Sequence, residues 1–311
     1  MKTNPQLLAT FRLLLGIILV VWFLATIDIS EATKSLTSFS LETIGLWIAA
    51  NLAARLLSNE AHLICIRFLD PKQPRITLLL LGFVRSMGNY ITPFLGTTVY
   101  ATALRDRVLL PVAKIAPFMT MQSIVAFSTT GLLAVFGMIL HFRTESLPWL
   151  IPLILVAGSS TLTWTAANSR IGSKLAISQN KWVRSAVMGF SLAENRICKV
   201  SLIHLIHLVA PLIRGSRLVI LLMALGINLS FPEALLLIIV AEASMLIQVT
   251  PGNIGVREGA ILFAGSALGI DPPALASVAI ADRGLSLAFT GILGSVSTFF
   301  LAKSNRTSFY K

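Results

Sequence analysis

Long apolar runs separated by short polar segments dominate the chain and predict an all-α polytopic membrane protein. A hydrocarbon core of about 30 Å requires about 20 predominantly apolar residues in an α-helix. Runs that approach this length recur from one end of the chain to the other. The candidate spans cover roughly residues 8–27, 41–58, 76–91, 114–140, 148–167, 205–227, 233–249 and 273–301, which is about eight transmembrane helices.

Two shorter apolar pieces, 94–104 and 254–268, follow the third and seventh candidate spans. Each is preceded by a Thr-Pro dipeptide, which begins at Thr92 in the first case and at Thr250 in the second. At about 1.5 Å per residue, helices of this length extend only about 16 to 22 Å. Because that length is too short for a full crossing, we predict two re-entrant helices with the Thr-Pro dipeptides at the hairpin tips.

The distribution of basic residues supports the re-entrant interpretation. If the N-terminus is cytoplasmic and both short pieces return to their own side, the outer segments hold only Lys34 and Arg143 as cations. If both pieces crossed fully, basic loops would lie on both sides of the membrane, against the positive-inside rule. The sequence therefore predicts a multi-pass protein of the inner (plasma) membrane with both termini in the cytoplasm.

The two predicted hairpins enter the membrane from opposite sides, and their Thr-Pro dipeptides are 250 − 92 = 158 residues apart. A glycine, Gly96 or Gly255, follows each proline, and a long span comes next. Inverted repeats with broken helices are typical of transporters that bind substrate between the two halves. We predict a single domain, 1–311, with repeat-like halves at about 76–140 and 233–301.

The composition agrees with a membrane protein, because 55% of the residues are hydrophobic and only 12% are charged. A soluble domain carries about 25% charged residues. The net charge of +12 would also suit nucleic acid, but the basic residues lie in short loops, where they set topology. We expect no nucleic-acid partner. Segment 168–204 is the least apolar, and both a membrane-surface helix and a solvated basic loop stay open for it.

Ionisable side chains lie deep within several apolar segments, about ten residues from the ends of three of them. They are Arg85, Glu242, Arg257, Glu258, Asp282 and Arg283. Each such side chain costs about 2.5 to 3.5 kcal/mol at the centre of a spanning helix. Two roles stay open: internal salt bridges that hold the spans together, and a site that also contacts a polar ligand.

The broken helices add a second attraction for anions. The helix after Pro251 begins within the membrane, so its first amides lack intrahelical acceptors, and Gly252 and Gly255 let a ligand approach the backbone. The helix after Pro93 presents the same positive end of a helix dipole. Together with the deep arginines, these helix ends predict an anion site that suits phosphate. The deep carboxylates would hold the arginines in place or bind an amine or a coupling proton.

Two further arginines, Arg214 and Arg217, lie near the sixth span. If its helix begins near Pro211, a favourable first position for proline, both side chains extend to the inner interface. If it begins near Ile203, they are buried. We favour the first interpretation. The sequence shows no nucleophile constellation, Walker loop, dinucleotide fingerprint or zinc spacing, so we predict no catalytic residue, metal or cofactor.

The residues around the second break resemble a family signature. Thr250–Ala260 (Thr-Pro-Gly-Asn-Ile-Gly-Val-Arg-Glu-Gly-Ala), Ala267–Ile270 and Ala281–Gly284 are similar to the pattern of the lysylphosphatidylglycerol synthase transmembrane-region family, whose members are described as flippase-like membrane proteins. The first-half counterpart is Asn89–Gly96 (Asn-Tyr-Ile-Thr-Pro-Phe-Leu-Gly). The resemblance covers nearly the whole chain.

The resemblance implies that Arg257, Glu258 and Arg283 belong to the family pattern. The chain departs from it at Thr97, where members often carry an acidic residue, so the first half-site is expected to be less charged. The sequence up to Lys311 carries no soluble aminoacyl-transfer domain, and lysylation of a lipid is not expected of it. What the resemblance implies is a lipid translocase or a membrane component of an envelope-lipid pathway.

The leading hypothesis is a lipid flippase for a phosphate-bearing or otherwise polar-headed lipid. Its partners are expected to be lipids with anionic or zwitterionic headgroups, and a homo-oligomer and association with lipid-synthesis enzymes both stay open. An enzyme that modifies a lipid headgroup through a deep carboxylate and a non-transporting scaffold are the alternatives. The candidate substrate-binding residues are Arg85, Asn89, Thr92, Glu242, Thr250, Gly252, Gly255, Arg257, Glu258, Asp282 and Arg283.

Overall fold

Helices account for all the regular structure in the part of the chain that the computed structural model describes. That part comprises residues 39–69, 73–91, 95–106, 108, 110, 112–142, 197–245 and 250–304. The helices are α1 (Leu41–Leu69), α2 (Arg75–Ile91), α3 (Leu95–Asp106), α4 (Val112–Phe142), α5 (Ile197–Ala224), α6 (Phe231–Ser244), α7 (Val256–Ala267) and α8 (Pro272–Ser304). The predicted all-α fold is confirmed for these residues.

Two of the described helices are both long enough and apolar enough to cross a membrane, judged by length and composition. They are Ser201–Ala224, with 24 residues, and Pro272–Lys303, with 32 residues. The candidate spans at 8–27 and 148–167 lie outside the described residues. Membrane character is therefore supported, whereas the number of spans stays a prediction.

Several helix ends differ from the predicted spans. Helix α1 continues to Leu69, eleven residues beyond the predicted end at 58. Helix α5 begins at Ile197, before the predicted start at 205. Helix α6 ends at Ser244 instead of 249, and Met245 is its C-cap. Hydropathy alone cannot locate these ends, because a helix continues as long as its backbone bonds and packing allow.

Both short helices predicted after the Thr-Pro dipeptides are present. Helices α3 and α7 contain 12 residues each, and at 1.5 Å per residue each is only about 18 Å long. Helix α6 packs against α7, and α7 packs against α8. Re-entry into a membrane stays a prediction for both short helices.

Helix lengths follow the same order in the two predicted halves. Helices α2, α3 and α4 contain 17, 12 and 31 residues. Helices α6, α7 and α8 contain 14, 12 and 33 residues. In each half the 12-residue helix comes second and a helix of more than 30 residues comes third, as a repeat would produce, and the inverted relation between the halves stays a prediction.

The chain divides into two compact units. Of the described residues, the first unit takes 39–52, 83–91, 95–99, 212–245 and 250–304, and the second unit takes the others. The described site residues all belong to the first unit. Its apolar core is formed by buried side chains of α1, α5, α6, α7 and α8, among them Trp47, Leu221, Leu237, Ile261 and Leu275.

Candidate functional site

A sharp break separates α6 from α7, as the sequence predicts. Residues Pro251–Asn253 form one 3-10 turn, and three backbone positions around it have positive φ: 56° at Gly252, 61° at Asn253 and 82° at Gly255. Left-handed backbone suits glycine and, among other residues, asparagine. The local sequence therefore dictates that the helix cannot continue through this segment.

Side chains form hydrogen bonds with the polar backbone groups at this break. The Thr250 hydroxyl donates to a carbonyl four residues later at 2.8 Å. The Asn253 amide donates to the Ser244 carbonyl at 2.9 Å, near the end of α6. The Gly255 N–H donates to a carboxylate oxygen of Glu258 at 2.8 Å. Glu258 thus caps α7, and the Gly255 amide binds protein rather than standing free for a ligand.

At the first break, a side chain of α2 likewise forms a hydrogen bond with the backbone of α3. The Asn89 side-chain carbonyl accepts a hydrogen bond from the Thr97 backbone N–H at 3.2 Å. A Cβ placed on Gly96 would collide with the backbone carbonyl of Arg85, so α2 and α3 approach each other closely here. The Arg85 side chain itself is half-buried on α2. Thr92 lies outside the described residues.

The end of α2 lies next to the second break. A Cβ built on Gly252 would lie 3.1 Å from the Tyr90 carbonyl oxygen and 2.9 Å from Nη2 of Arg283. The guanidinium of Arg283 also lies 5.2 Å from the centre of the Tyr90 ring. Glycine suits position 252 because its φ of 56° is one that other residues rarely adopt, and a Cβ there would lie close to the Tyr90 carbonyl oxygen.

Asp282 is the centre of a buried set of ion pairs. It is 0% exposed, and its carboxylate accepts a hydrogen bond from the Trp47 indole N–H at 2.9 Å. Nη1 of Arg257 pairs with its second oxygen, and Nε of Arg217 lies 3.6 Å from the first. Two buried guanidinium groups therefore share one carboxylate.

Arg217 is buried, contrary to the favoured prediction that it extends to the membrane interface. It is only 3% exposed. Its Nη1 donates to the Asn51 side-chain oxygen at 2.7 Å and to the Ser286 hydroxyl at 3.2 Å. Its Nε donates to the Arg214 carbonyl at 2.6 Å, and its guanidinium lies 5.0 Å from the centre of the Trp47 ring.

The prediction failed because Pro211 lies inside α5 instead of at its start. Neighbouring helices allow a membrane helix to continue through proline. Since α5 begins at Ile197, position 217 lies 20 residues into the helix, which is about 30 Å from its first residue. The apolar residues before Pro211, including Ile203 and Ile206, were the signal for the longer helix.

Two further ion pairs lie nearby among the described residues. Arg214 pairs with Glu242 at 3.0 Å, and Arg283 lies 3.8 Å from Glu258. Each deep carboxylate therefore pairs with an arginine, and its binding of an amine or a coupling proton stays a prediction. Arg257 and Glu258 are adjacent in the sequence, but each pairs with a different helix α8 residue.

We call these side chains the buried charge cluster, in which Arg214 and Arg283 are partly buried and the other five residues are buried. Its members are Arg214, Arg217, Arg257, Arg283, Glu242, Glu258 and Asp282. Among the described residues, these ion pairs involve four guanidinium groups and three carboxylates.

Several polar atoms of this cluster have no hydrogen-bond partner among the described residues. They are Nε and Nη2 of Arg257, Nε and Nη2 of Arg283, Oε1 of Glu242 and Oε1 of Glu258. Leaving a buried polar atom unpaired costs about 1–3 kcal/mol, and more for a charged group. Arg217 donates from both Nε and Nη1 to protein groups. Arg257 and Arg283 differ from it, because each has two N–H donor atoms without a hydrogen-bond partner among the described residues.

Within the described ranges, no group of three or more His, Cys, Asp or Glu side chains is arranged to hold a metal ion. The arrangement instead presents guanidinium donors beside carboxylate acceptors in an apolar surrounding. Such a site suits an anionic or mixed polar group, because fixed donors interact strongly where water is scarce.

Comparison with known proteins identifies the family. No match was found among curated proteins or among solved structures. The family model described as the lysylphosphatidylglycerol synthase TM region matches residues 10–294. The matched range includes every member of the buried charge cluster. The chain therefore belongs to the lysylphosphatidylglycerol synthase transmembrane-region family, a family of membrane proteins linked to lipid handling.

Proposed function

We propose that this protein is a lipid flippase that moves a polar-headed phospholipid between the leaflets of the inner membrane. The headgroup binds at the buried charge cluster, and the acyl chains stay in the bilayer. The single observation that carries the proposal is the set of unpaired guanidinium donors on Arg257 and Arg283, which are buried beside a helix break. A phosphate group would satisfy these donors with charge-assisted hydrogen bonds.

The outer surface of α8 supports a position within lipid. Large apolar side chains on this helix are exposed, among them Ile292, Val296, Phe299 and Phe300. Exposed apolar surface of this extent is unfavourable in water and favourable against acyl chains. A charged cluster inside such helices is expensive, which favours a functional reason for its presence.

The two breaks supply the conformational part of the proposal. The end of α2 and the segment around Gly252 are neighbours, and each is followed by a short helix. In transporters built from inverted repeats, rocking of the halves opens a central site to each side in turn. The proposed cycle moves the headgroup in this way and uses no ATP chemistry within the chain.

Substitution of Arg257 tests the headgroup site. In Arg257→Ala, Asp282 keeps its contacts with Trp47 and Arg217, so we expect a folded protein that has lost lipid translocation. The assay reconstitutes the protein into vesicles that contain an acyl-labelled fluorescent phospholipid and follows its bleaching by a membrane-impermeant reductant. Arg75→Ala is the matched control, because Arg75 is 64% exposed and pairs with Glu60 in the other unit.

A scaffold is the competing function, because the carboxylates of the cluster do pair with arginines. Arg257→Lys separates the two proposals. Lysine keeps the charge that faces Asp282 but lacks the planar fork of guanidinium donors. If the cluster is a headgroup site, the rate of lipid translocation should fall at least tenfold in Arg257→Lys. If the protein is a scaffold, cells with Arg257→Lys should keep the wild-type phenotype, and the wild-type protein should translocate no lipid in vesicles.

The flippase proposal includes no chemical change to the lipid. Mass spectrometry of the lipid recovered after transport provides the check. Recovery of an altered headgroup from vesicles that contain only protein and lipid would instead favour the lipid-modifying enzyme.

A further inference from the structure

We infer that Tyr90 is a positioning residue of the proposed headgroup site. Its ring holds the guanidinium of Arg283 in one place, and Nε and Nη2 of that guanidinium stay available to a phosphate ligand. The inference rests on the proposed function and adds to it a neutral side chain from α2. Two observations carry it: the sparse hydrogen bonding of Arg283 and the contact of its guanidinium with the Tyr90 ring.

The guanidinium of Arg283 is held differently from that of Arg217. Its Nε and Nη2 have no hydrogen-bond partner among the described residues. Its Nη1 lies 3.8 Å from Oε1 of Glu258, which is too long for a hydrogen bond. Arg217, in contrast, donates from both Nε and Nη1 to protein groups. Because an arginine side chain has many rotamers, Arg283 needs another contact to keep its donors in one place.

The ring of Tyr90 supplies that contact. The central carbon of the Arg283 guanidinium lies over the ring, 5.2 Å from its centre, and a cation is attracted to a ring face within about 6 Å. The Arg283 side chain is only 14% exposed, so water weakens the attraction little. A contact over a ring face does not use the N–H groups of the guanidinium. Tyr90 therefore holds Arg283 without consuming the donors that a carboxylate partner would occupy.

The second break lies on another side of the same guanidinium. A Cβ built on Gly252 would lie 2.9 Å from Nη2 of Arg283 and 3.1 Å from the Tyr90 carbonyl oxygen. A side chain at position 252 would thus compete for the space beside an unpaired donor. Since Tyr90 is the next-to-last residue of α2, the place of the Arg283 donors depends on both predicted halves of the protein.

Without the ring, Glu258 becomes the competitor for Arg283. Its Oε1 has no hydrogen-bond partner among the described residues, and a small movement across the 3.8 Å separation would pair the two side chains. A ligand would then bind only those molecules in which the guanidinium keeps its donors available. The apparent affinity falls in proportion to that fraction, and loss of a largely desolvated cation–π contact corresponds to about 5-fold to 30-fold.

Substitutions at position 90 test the inference through ligand affinity. Tyr90→Phe keeps the ring face, whereas Tyr90→Leu keeps an apolar side chain without one. The ligands are acyl-labelled phosphatidylcholine and phosphatidylglycerol, because the inference concerns only the phosphate that both contain. Their affinities for the purified full chain in detergent are measured by native mass spectrometry. We expect Tyr90→Phe to bind each lipid within about twofold of the wild type, and Tyr90→Leu to bind each about 5-fold to 30-fold more weakly.

Fluorination of the ring separates positioning from packing and avoids a variant that fails to fold. Phenylalanines with one, two and three ring fluorines are introduced at position 90. Fluorine withdraws electron density from the ring face that attracts the cation and changes the size of the side chain little. The affinity should therefore fall stepwise from Phe towards the value for Leu, whereas a side chain that only fills space would give one affinity for the whole series.

The same series at Phe299 is the matched control. Phe299 is 65% exposed, and it lies 299 − 283 = 16 residues after Arg283 on α8, which is about 24 Å along the helix. Fluorination there should leave both affinities unchanged.

The outcomes keep the role of Tyr90 apart from the flippase proposal. If the wild type translocates lipid while Tyr90→Leu binds as tightly as Tyr90→Phe, or the fluorinated series shows no trend, the flippase stands and the inference is overturned. If affinity follows the ring face but the wild type translocates neither lipid, the flippase fails and the role of Tyr90 stands. Inorganic phosphate that binds as tightly as the lipids, with the same dependence on the ring, would make free phosphate the ligand and overturn the flippase alone. A wild type that binds none of these ligands would overturn both.

Discussion

Removing the charge of Asp282 is the most direct test of the buried charge cluster. In Asp282→Asn, the side chain keeps its size and an oxygen for the Trp47 indole N–H, which the native carboxylate accepts at 2.9 Å. The negative charge shared by Arg217 and Arg257 is lost. Since Asp282 is fully buried, the two guanidinium groups lose their shared counter-charge at a position away from solvent. We therefore expect a large loss of stability with little change in shape.

The magnitude follows from burial. Removing one partner of a buried ion pair costs about 3–5 kcal/mol, because the remaining charge is left uncompensated. For a chain of this size, about 1 kcal/mol lowers the melting midpoint by about 2 °C, so the expected decrease is roughly 6–10 °C. An isolated surface pair would show no such decrease, because solvent screens exposed charges.

The assay compares apparent melting midpoints in one detergent at one scan rate, since unfolding of a protein of this kind is commonly irreversible. Asp106→Asn is the matched control. Asp106 pairs with Arg105 at 2.5 Å, but both side chains are more than half exposed. Its midpoint should equal that of the wild type.

Making the same substitution in a variant that lacks Arg217 shows whether the loss of stability comes from the ion pairs of Asp282. Arg217→Met removes one of the two like charges that Asp282 holds, so Asp282→Asn should cost about 1–3 kcal/mol less there than in the wild type. The reasoning is refuted if Asp282→Asn melts within 2 °C of the wild type. It is also refuted if the substitution costs the same in both backgrounds.

Three further predictions concern packing around the site. Trp47→Phe removes a hydrogen bond to the charged Asp282 and should cost about 1.5–3 kcal/mol, measured as a lower melting midpoint; an unchanged midpoint would contradict the contact. Gly252→Ala adds a side chain at φ 56°, at a cost of about 1–2 kcal/mol, and should slow lipid translocation, so an unchanged rate would count against the break as part of the site. Gly96→Ala places a methyl group against the Arg85 carbonyl and should cost about 1–3 kcal/mol; a wild-type midpoint would show that α2 and α3 do not approach closely there.

The break at Thr250–Gly255 was predictable because its causes are local. Proline has no N–H, and glycine and asparagine accept positive φ, so this combination of residues favours the end of a helix here. The short helices α3 and α7 were predictable for the same reason, since a Thr-Pro dipeptide precedes each of them. The burial of Glu242, Arg257, Glu258 and Asp282 also agrees with their positions far from the ends of apolar runs, and their depth in a membrane stays a prediction.

The burial of Arg217 could not be predicted from local patterns. Whether α5 begins at Pro211 or continues through it depends on neighbouring helices that satisfy the backbone around the proline. The roles of Trp47 and Asn51 were also missed. Trp47 lies 235 positions from Asp282 in the sequence, and an apolar or neutral side chain on a spanning helix carries no sign of its distant partner.

The sequence by itself determined an all-α membrane chain of this family, with a helix broken at Pro251 and charges buried on both sides of the break. The helical period and the combined proline, glycine and asparagine of this break act over a few residues, so they are visible in the sequence without any tertiary contact. The tertiary structure decided which charges meet: Arg257 with Asp282 rather than with its neighbour Glu258. It also decided that Arg217 donates to protein groups, whereas Arg257 and Arg283 have donors without a partner among the described residues. Helix packing sets the directions in which these side chains point.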